Sequence, residues 1–313
     1  MKAMTQDRYG SPDVLELRDI DRPEPGPDEV LLRVHAAGVD QGTWHQVTGL
    51  PYLGRLAFGP RRPRVPVPGM DVSGVVEAVG ARVTEFRPGD EVFGVGKGTF
   101  AEYTTAKTVV HKPANLTHQQ AAAVAVSACT ALKAVEGVQA GQRVMVIGAG
   151  GGVGSYAVQL ATAFGASVTG VCGPAKVELV RALGATEVIN YRQEDLAGEY
   201  DMVVDIAGAR PFARLLRLVR PGGTLTLVGS EVGGRWFGMG RALGALVRNP
   251  FTRKRLRAPL SLVRPAALTR LSELLTEGRI TPAVDRTFAL GDVPAAITYL
   301  RDGHARGKIV VTP

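Results

Sequence analysis

The stretch from Arg143 to Gly154, Arg-Val-Met-Val-Ile-Gly-Ala-Gly-Gly-Gly-Val-Gly, decides the fold. Val144 to Ile147 is a short apolar run without charge, as expected of a strand buried on both faces of a parallel sheet. It runs into a glycine cluster, and Ser155 to Phe164 continues with helical spacing. Strand, glycine turn and helix N-terminus together make an anion site, because backbone N–H groups and the positive end of the helix dipole point over the turn. Glycines there let a diphosphate approach the backbone where a Cβ would block it. A Gly-x-Gly-x-x-Gly run arises by chance in glycine-rich chains. Between a strand and a helix, with a second strand at Ser167 to Val171, it predicts a dinucleotide fold.

Working outward, 313 residues are enough for two domains, each with its own core. A content of 45% hydrophobic and 21% charged residues excludes a disordered chain. No apolar run approaches the roughly 20 residues that span a bilayer, and Met1 to Arg8 lacks the apolar core of a signal peptide. Two cysteines, Cys129 and Cys172, are too few for a disulfide framework or a structural zinc cluster, so a reducing cytoplasm is expected. The net charge of +8 points to an anionic ligand or surface. Arg55, Arg61, Arg62 and Arg64 crowd one loop, and the segment 241–264 holds Arg241, Arg248, Arg253, Lys254, Arg255, Arg257 and Arg264 without an acidic residue. Such runs are solvated faces, rims for phosphorylated ligands, or weak nucleic-acid surfaces.

Residues 1–112 read as β-rich, with strands at Val30 to Val34, Val72 to Val79 and Phe100 to Thr104, and proline and glycine between them. This predicts a small irregular barrel in which Gln41 to Gly69 is one long loop. Gln119 to Val135 reads as a helix capped by Thr117. Strands at Arg143 to Ile147, Ser167 to Val171, Glu187 to Asn190, Met202 to Ile206 and Thr224 to Val228 then alternate with helices at Ser155 to Phe164, Ala175 to Leu183 and Pro211 to Val219. That order calls for a parallel sheet with right-handed crossovers, complete at its last strand after the stop Pro221-Gly222-Gly223. Pro265 to Glu277 and Val293 to Leu300 read as helices, Lys308 to Val311 as a closing strand, and all three return to the first domain.

The end of the second strand selects the cofactor. An acidic residue there would bind a free ribose hydroxyl. Here the chain continues Cys172-Gly173-Pro174-Ala175-Lys176, without a carboxylate and with a cation. Lys176 can pair with a 2′-phosphate, so NADPH is favoured over NADH.

With these residues in hand, the chain resembles the medium-chain dehydrogenase/reductase superfamily, in its zinc-independent quinone oxidoreductase-like branch. The resemblance is carried by Gly38-Val39-Asp40, Pro68 to Gly74, Pro88 to Val92, Phe100 to Tyr103, Gly148 to Gly154, Leu183-Gly184-Ala185 and Gly307 to Val310. It implies an α/β protein: a GroES-like β-barrel domain, residues 1–125 and 264–313, plus a Rossmann domain with a doubly wound parallel sheet, residues 126–263. It further implies that Ala149, Gly150, Gly151, Gly152, Val153 and Gly154 hold the diphosphate of NADPH, and Lys176 and Tyr191 its 2′-phosphate. Gly208 is expected beside the adenosine, Gly229 and Ser230 near the nicotinamide, Thr130 behind its ribose, and Lys308 at or near the diphosphate. Zinc-dependent members carry ligands where this chain has Asp40, Met70-Asp71 and Val126. Catalytic zinc takes three protein ligands, which Asp40 and His45 do not supply, so a metal-free site is expected.

Without a Lewis acid, alcohol oxidation loses its main assistance, whereas hydride delivery to a quinone or an α,β-unsaturated carbonyl needs none. Tyr52 is the candidate proton donor or substrate contact, and Asp40, Trp44 and His45 are candidate pocket residues. Gly233-Gly234-Arg235-Trp236 is a candidate wall. Both cysteines sit in apolar surroundings and read as core. The function expected is an NADPH-dependent reductase of quinones or activated C=C bonds, acting on a small molecule as a homodimer or homotetramer, with no membrane or nucleic-acid partner. Two alternatives are an enoyl-thioester reductase whose arginines around Arg61 grip a CoA or carrier phosphate, and a non-catalytic NADPH-binding regulatory or RNA-binding protein using the segment 241–264.

Overall fold

The computed structural model describes residues 1–229, 244, 252–260 and 262–313. Two compact units divide the chain: residues 1–129, 262–278 and 282–313 form the first, and residues 130–261 with 279–281 the second.

In the first unit β1 (Lys2–Thr5) pairs antiparallel with β2 (Glu16–Asp19). Strands β3 (Val30–Val39), β4 (Asp71–Val79), β5 (Glu91–Lys97) and β6 (Tyr103–His111) follow one another antiparallel, and pairing of β3 with β6 closes them into a barrel. Val30, Leu32, Val34, Val72, Val76 and Val92 fill its core. Near the C-terminus β14 (Lys308–Thr312) adds antiparallel to β3, with β13 (Val284–Ala289) parallel beside it.

Three expectations need correction here. The strand expected at Phe100 to Thr104 begins at Tyr103, because Phe100 is used elsewhere: its N–H donates to Pro68 O and its carbonyl accepts from Met4. The loop expected over Gln41 to Gly69 contains helix α1 (Gln41–Thr48) and the short α2 (Arg55–Phe58). Asp40 caps α1, its Oδ1 accepting from Thr43 N–H at 3.0 Å, and Gly49 ends it in the left-handed region at φ 62°. The helix expected over Gln119 to Val135 is two, α3 (His118–Ala122) and α4 (Ala125–Ala134). Thr117 and Gln120 form a capping box on α3. In the first turn of α4, Val126 N–H donates to Asp71 Oδ1 at 2.7 Å.

The second unit carries a six-stranded parallel sheet of β7 (Arg143–Ile147), β8 (Ser167–Cys172), β9 (Glu187–Asn190), β10 (Tyr200–Asp205), β11 (Val219–Leu227) and β12 (Arg255–Arg257). Their order is β9-β8-β7-β10-β11-β12, so the chain winds outward from β7, returns to its other side at β10 and winds outward again. The helices are α5 (Gly152–Ala163), α6 (Val177–Ala182) and α7 (Phe212–Leu218). Two more expectations change. The sheet is not complete at Val228, since β12 adds a sixth strand from the basic segment. Pro221-Gly222-Gly223 is no stop but lies inside β11, where the register jumps from Tyr200 opposite Val219 to Met202 opposite Thr224.

Helix α8 (Pro265–Thr276) buries Leu268, Leu271, Leu274 and Leu275 on one face, as their spacing requires, and α9 (Val293–Arg301) buries Val293, Ala296 and Ile297. Among the described residues no helix is long and apolar enough to cross a membrane.

Candidate active site

Between β7 and β10 the winding direction reverses, which opens a crevice at the carboxyl ends of the strands. The glycine turn leaves β7 at that point. Gly148 and Ala149 both donate to Val171 O at 3.0 Å, which ties the turn to β8. A Cβ on Gly154 would lie 2.0 Å from Gly148 O, so only glycine lets α5 start this close to the strand. Gly151 is the N-cap of α5, and no side chain caps the helix. A Cβ on Gly229 would strike Ile206 O and approach Gly208 N, so the ends of β10 and β11 meet the same edge. Gly208 turns at φ 72° and donates to the buried Asp205 Oδ1.

Lys176 and Tyr191 follow β8 and β9 to this edge. The Lys176 side chain lies against Gly150, where a Cβ would sit 2.7 Å from its own Cβ. The Tyr191 ring flanks Gly173, and Tyr191 N–H donates to Cys172 O. The sequence-named residues Ala149 to Gly154, Lys176, Tyr191, Gly208 and Gly229 therefore converge on one edge of the second unit. Thr130 is half-buried on α4, and Ser230 lies outside the described residues. An uncapped helix N-terminus behind side-chain-free backbone, with a cation and a phenol beyond it, fits a phosphorylated dinucleotide.

The first unit holds the other candidates. Asp40 is buried, and its Oδ1 is spent on capping α1. His45 Nδ1 donates to Leu50 O at 2.5 Å, and burial lowers its pKa below the ordinary value; it holds the turn after α1. Tyr52 lies under the Arg55 guanidinium, which is 4.7 Å from its ring and 4.5 Å from that of Tyr9. Arg55 also donates from Nε to Gly49 O, so the Tyr9–Arg55–Tyr52 stack is tied to the α1 turn. Trp44 stacks against Arg301 at 4.4 Å. Through Nδ1, His45 braces the turn between α1 and Tyr52.

Lys308 lies in the first unit, where its ammonium is 1% exposed, bonded to Asp71 Oδ2 at 3.0 Å and Ser127 Oγ at 3.1 Å, with Asp40 Oδ2 at 4.0 Å. Burial pushes the Asp71 carboxyl up from its ordinary value, and the Lys308 charge pulls against that shift. This cluster covers the positions Asp40, Asp71 and Val126 at which the resemblance would seek zinc ligands. Two carboxylates already shared by an ammonium, and a backbone N–H in place of a third donor, do not fit a zinc ion. Among the described residues no three His, Cys, Asp or Glu side chains are grouped to hold a metal. Sequence reasoning missed the pair; the one signal was a lysine opening the apolar run Ile309-Val310-Val311.

Cys129 and Cys172 are both buried and unpaired with each other. Burial, helped by the Asp71 charge, pushes the Cys129 thiol up to about 12, so it is inert as a nucleophile. In the basic segment Arg257 pairs with Glu136 at 2.5 Å and Lys254 donates to Leu216 O, so part of its charge serves the fold. Arg241, Arg248 and Gly233 to Trp236 lie outside the described residues.

Known proteins resemble this arrangement over the whole chain. The alcohol dehydrogenase GroES-like domain matches residues 26–114, and the zinc-binding dehydrogenase domain matches residues 183–311. A chloroplastic quinone-oxidoreductase of Triphysaria versicolor is 31% identical, over 100% of this chain and 98% of its own. The 2-methylene-furan-3-one reductase of Solanum lycopersicum is 32% identical, over 100% of this chain and 79% of its own. A mycobacterial protein solved in complex with NADPH superposes with a TM-score of 0.84 at 27% identity, over 100% of both chains.

Two outcomes are expected. Lys308→Met strands the buried Asp71 carboxylate and should cost about 3–5 kcal/mol in urea unfolding, with Asp71→Asn in the same chain restoring part of it; an unchanged midpoint would show the pair to be dispensable. For His45, whose folded pKa is lowered, the stabilising contribution is complete above the unfolded value, about 6.5, and is lost as pH falls toward the folded value. The thermal-stability advantage of wild type over His45→Asn should therefore shrink between about pH 7 and pH 5, and a gap that widens over that range contradicts the assignment.

Proposed function

We infer that this chain, which belongs to the medium-chain dehydrogenase/reductase superfamily in its quinone oxidoreductase-like branch, is an NADPH-dependent reductase of quinones or activated C=C bonds that works without catalytic zinc. It is an oxidoreductase with a GroES-like domain and a Rossmann-like NAD(P)-binding domain. The domain assignment proposed is residues 1–125 and 264–313 for the acceptor and residues 126–263 for the cofactor.

The observation that carries the reading is the meeting of the glycine turn with Lys176 and Tyr191, and the lack of a carboxylate at the end of β8. Backbone N–H groups at the start of α5 would hold the diphosphate. Lys176 would neutralise the 2′-phosphate, with Tyr191 as a hydrogen-bond partner. Gly208 and Gly229 keep side chains away from the adenosine and the nicotinamide, and Thr130 would back the ribose. When bound, the cofactor supplies a hydride from its nicotinamide. The acceptor's conjugated carbonyl takes the displaced electron pair onto oxygen, so no Lewis acid is required. A proton then completes the reduction, given by the Tyr52 hydroxyl or by solvent. Asp40 and His45 shape the turn that carries Tyr52, and Arg55 orients its ring.

Exposed Arg61 and Arg62 keep the enoyl-thioester reading in contention, because a CoA or carrier phosphate would suit them. Turnover that depends on the CoA or carrier handle would favour it.

Lys176→Ala should raise the KM for NADPH about tenfold or more and leave that for NADH nearly unchanged; equal effects on both would sink the 2′-phosphate assignment. Tyr52→Phe should lower kcat with little change in acceptor KM if the hydroxyl gives the proton, and unaltered kcat would reduce Tyr52 to packing.

A further inference from the structure

A cavity of about 280 Å³ lies wholly within the first unit. Phe58, Val65 and Val67 give it apolar walls, while Gln6 supplies a buried polar group and Arg64 and Lys97 two exposed cations. Gln6 is 2% exposed and its amide is half satisfied. Its Nε2 donates to Gln46 O at 3.0 Å, but its Oε1 is buried without a partner. Because Gln46 O demands a donor, the orphaned end of the amide is the oxygen. A buried acceptor beside a cavity is completed by an O–H or N–H that enters the cavity.

The two cations are equally unfinished. Arg18, Arg22 and Arg82 of the same unit all hold carboxylates. Arg64 and Lys97 have none among the described residues. Guanidinium and ammonium on one cavity with no counter-charge among the described residues favour an anion.

Size narrows the ligand. A cavity of about 150 Å³ holds benzene, so this one takes a single ring with substituents and not a long prenyl tail. Position narrows it further. Gln46 belongs to α1, which carries Trp44 and His45, and Phe58 ends α2, whose Arg55 stacks on Tyr52.

We propose that this cavity binds a carboxylate-bearing molecule of one-ring size, which donates a hydrogen bond to Gln6 Oε1 and places its carboxylate on Arg64 and Lys97. Its role is to select anionic acceptors over neutral ones. That role rests on the reductase reading, whereas the binding site does not.

The test has two arms, both on the intact chain. In calorimetry without cofactor, 4-hydroxybenzoate should bind about tenfold more tightly than its methyl ester, since two charge-assisted contacts separate them. Arg64→Ala with Lys97→Ala should erase that preference. Ala57→Trp, at an exposed position on the cavity wall, should weaken both ligands without disturbing the core. Equal affinity for acid and ester, no binding of either, or indifference to Ala57→Trp overturns the proposal. In the second arm NADPH oxidation is followed with 4-oxopent-2-enoate, pent-3-en-2-one and crotonyl-CoA. A kcat/KM about tenfold higher for the oxo acid than for the neutral enone, lost in the double variant, supports selection by charge. Preference for crotonyl-CoA that disappears in Arg64→Ala assigns the arginine to a remote phosphate and overturns it. Binding that follows the first arm while every acceptor fails to turn over defeats the reductase reading and leaves the site standing.

Discussion

Gly148 O stands 2.0 Å from the point where a side chain on Gly154 would begin, so that only hydrogen fits between the end of β7 and the first turn of α5. This contact lets the helix rise directly from the strand, and the Val171 carbonyl then pins the turn by accepting from both Gly148 and Ala149. The first turn of α5 keeps its N–H groups without a side-chain cap, which concentrates roughly half a positive charge over a surface without side chains. Lys176, Tyr191, Gly208 and Gly229 are arranged around that surface. Strand order puts the ends of β10 and β11 on one side of it, and Lys176 and Tyr191 on the other.

The first unit handles charge in the opposite manner. Its most buried cation, Lys308, is consumed internally by Asp71 and Ser127, and Asp71 in turn accepts from Val126 N–H in the first turn of α4. One buried carboxylate therefore holds both the first turn of α4 and the Lys308 ammonium. The pair includes Asp71, one of the positions at which the resemblance would seek zinc ligands, and its carboxylate is held there in a salt bridge. Two other cations of the unit, Arg64 and Lys97, pair with no carboxylate among the described residues, are exposed and border a cavity. The two lysines Lys176 and Lys308 are alike in the chain but differ in burial: Lys308 is 1% exposed and held by Asp71, whereas Lys176 lies half-buried against the glycine turn.

Much of the second unit was legible because its strands are buried on both faces. Val144 to Ile147 and Met202 to Val204 announce themselves as apolar runs, and glycines mark where each run turns. The leucines of α8 were equally plain, since their spacing matches the helix period. Other elements left weaker traces. The helix α1 buries only Thr43, Val47 and Thr48, so its apolar stripe is too narrow to read, although its caps Asp40 and Gly49 were in view. β12 is three residues long and reads Arg-Leu-Arg, which no periodicity rule separates from a solvated basic run. Phe100 looked like a strand residue because it is aromatic, yet its backbone is paired with Met4 and Pro68.

By itself the amino-acid order determined the family, the two kinds of fold and the glycine turn, because those depend on residues close together along the chain. Tertiary structure alone decided that Lys308 meets Asp71 across a separation of 237 residues, that His45 braces a turn, and that Gln6 ends with an orphaned oxygen beside a cavity. The physical reason is range. Propensity, capping and apolar period act over a few residues, whereas the partner of a buried charge or amide is chosen by whichever distant strand the sheet brings alongside it.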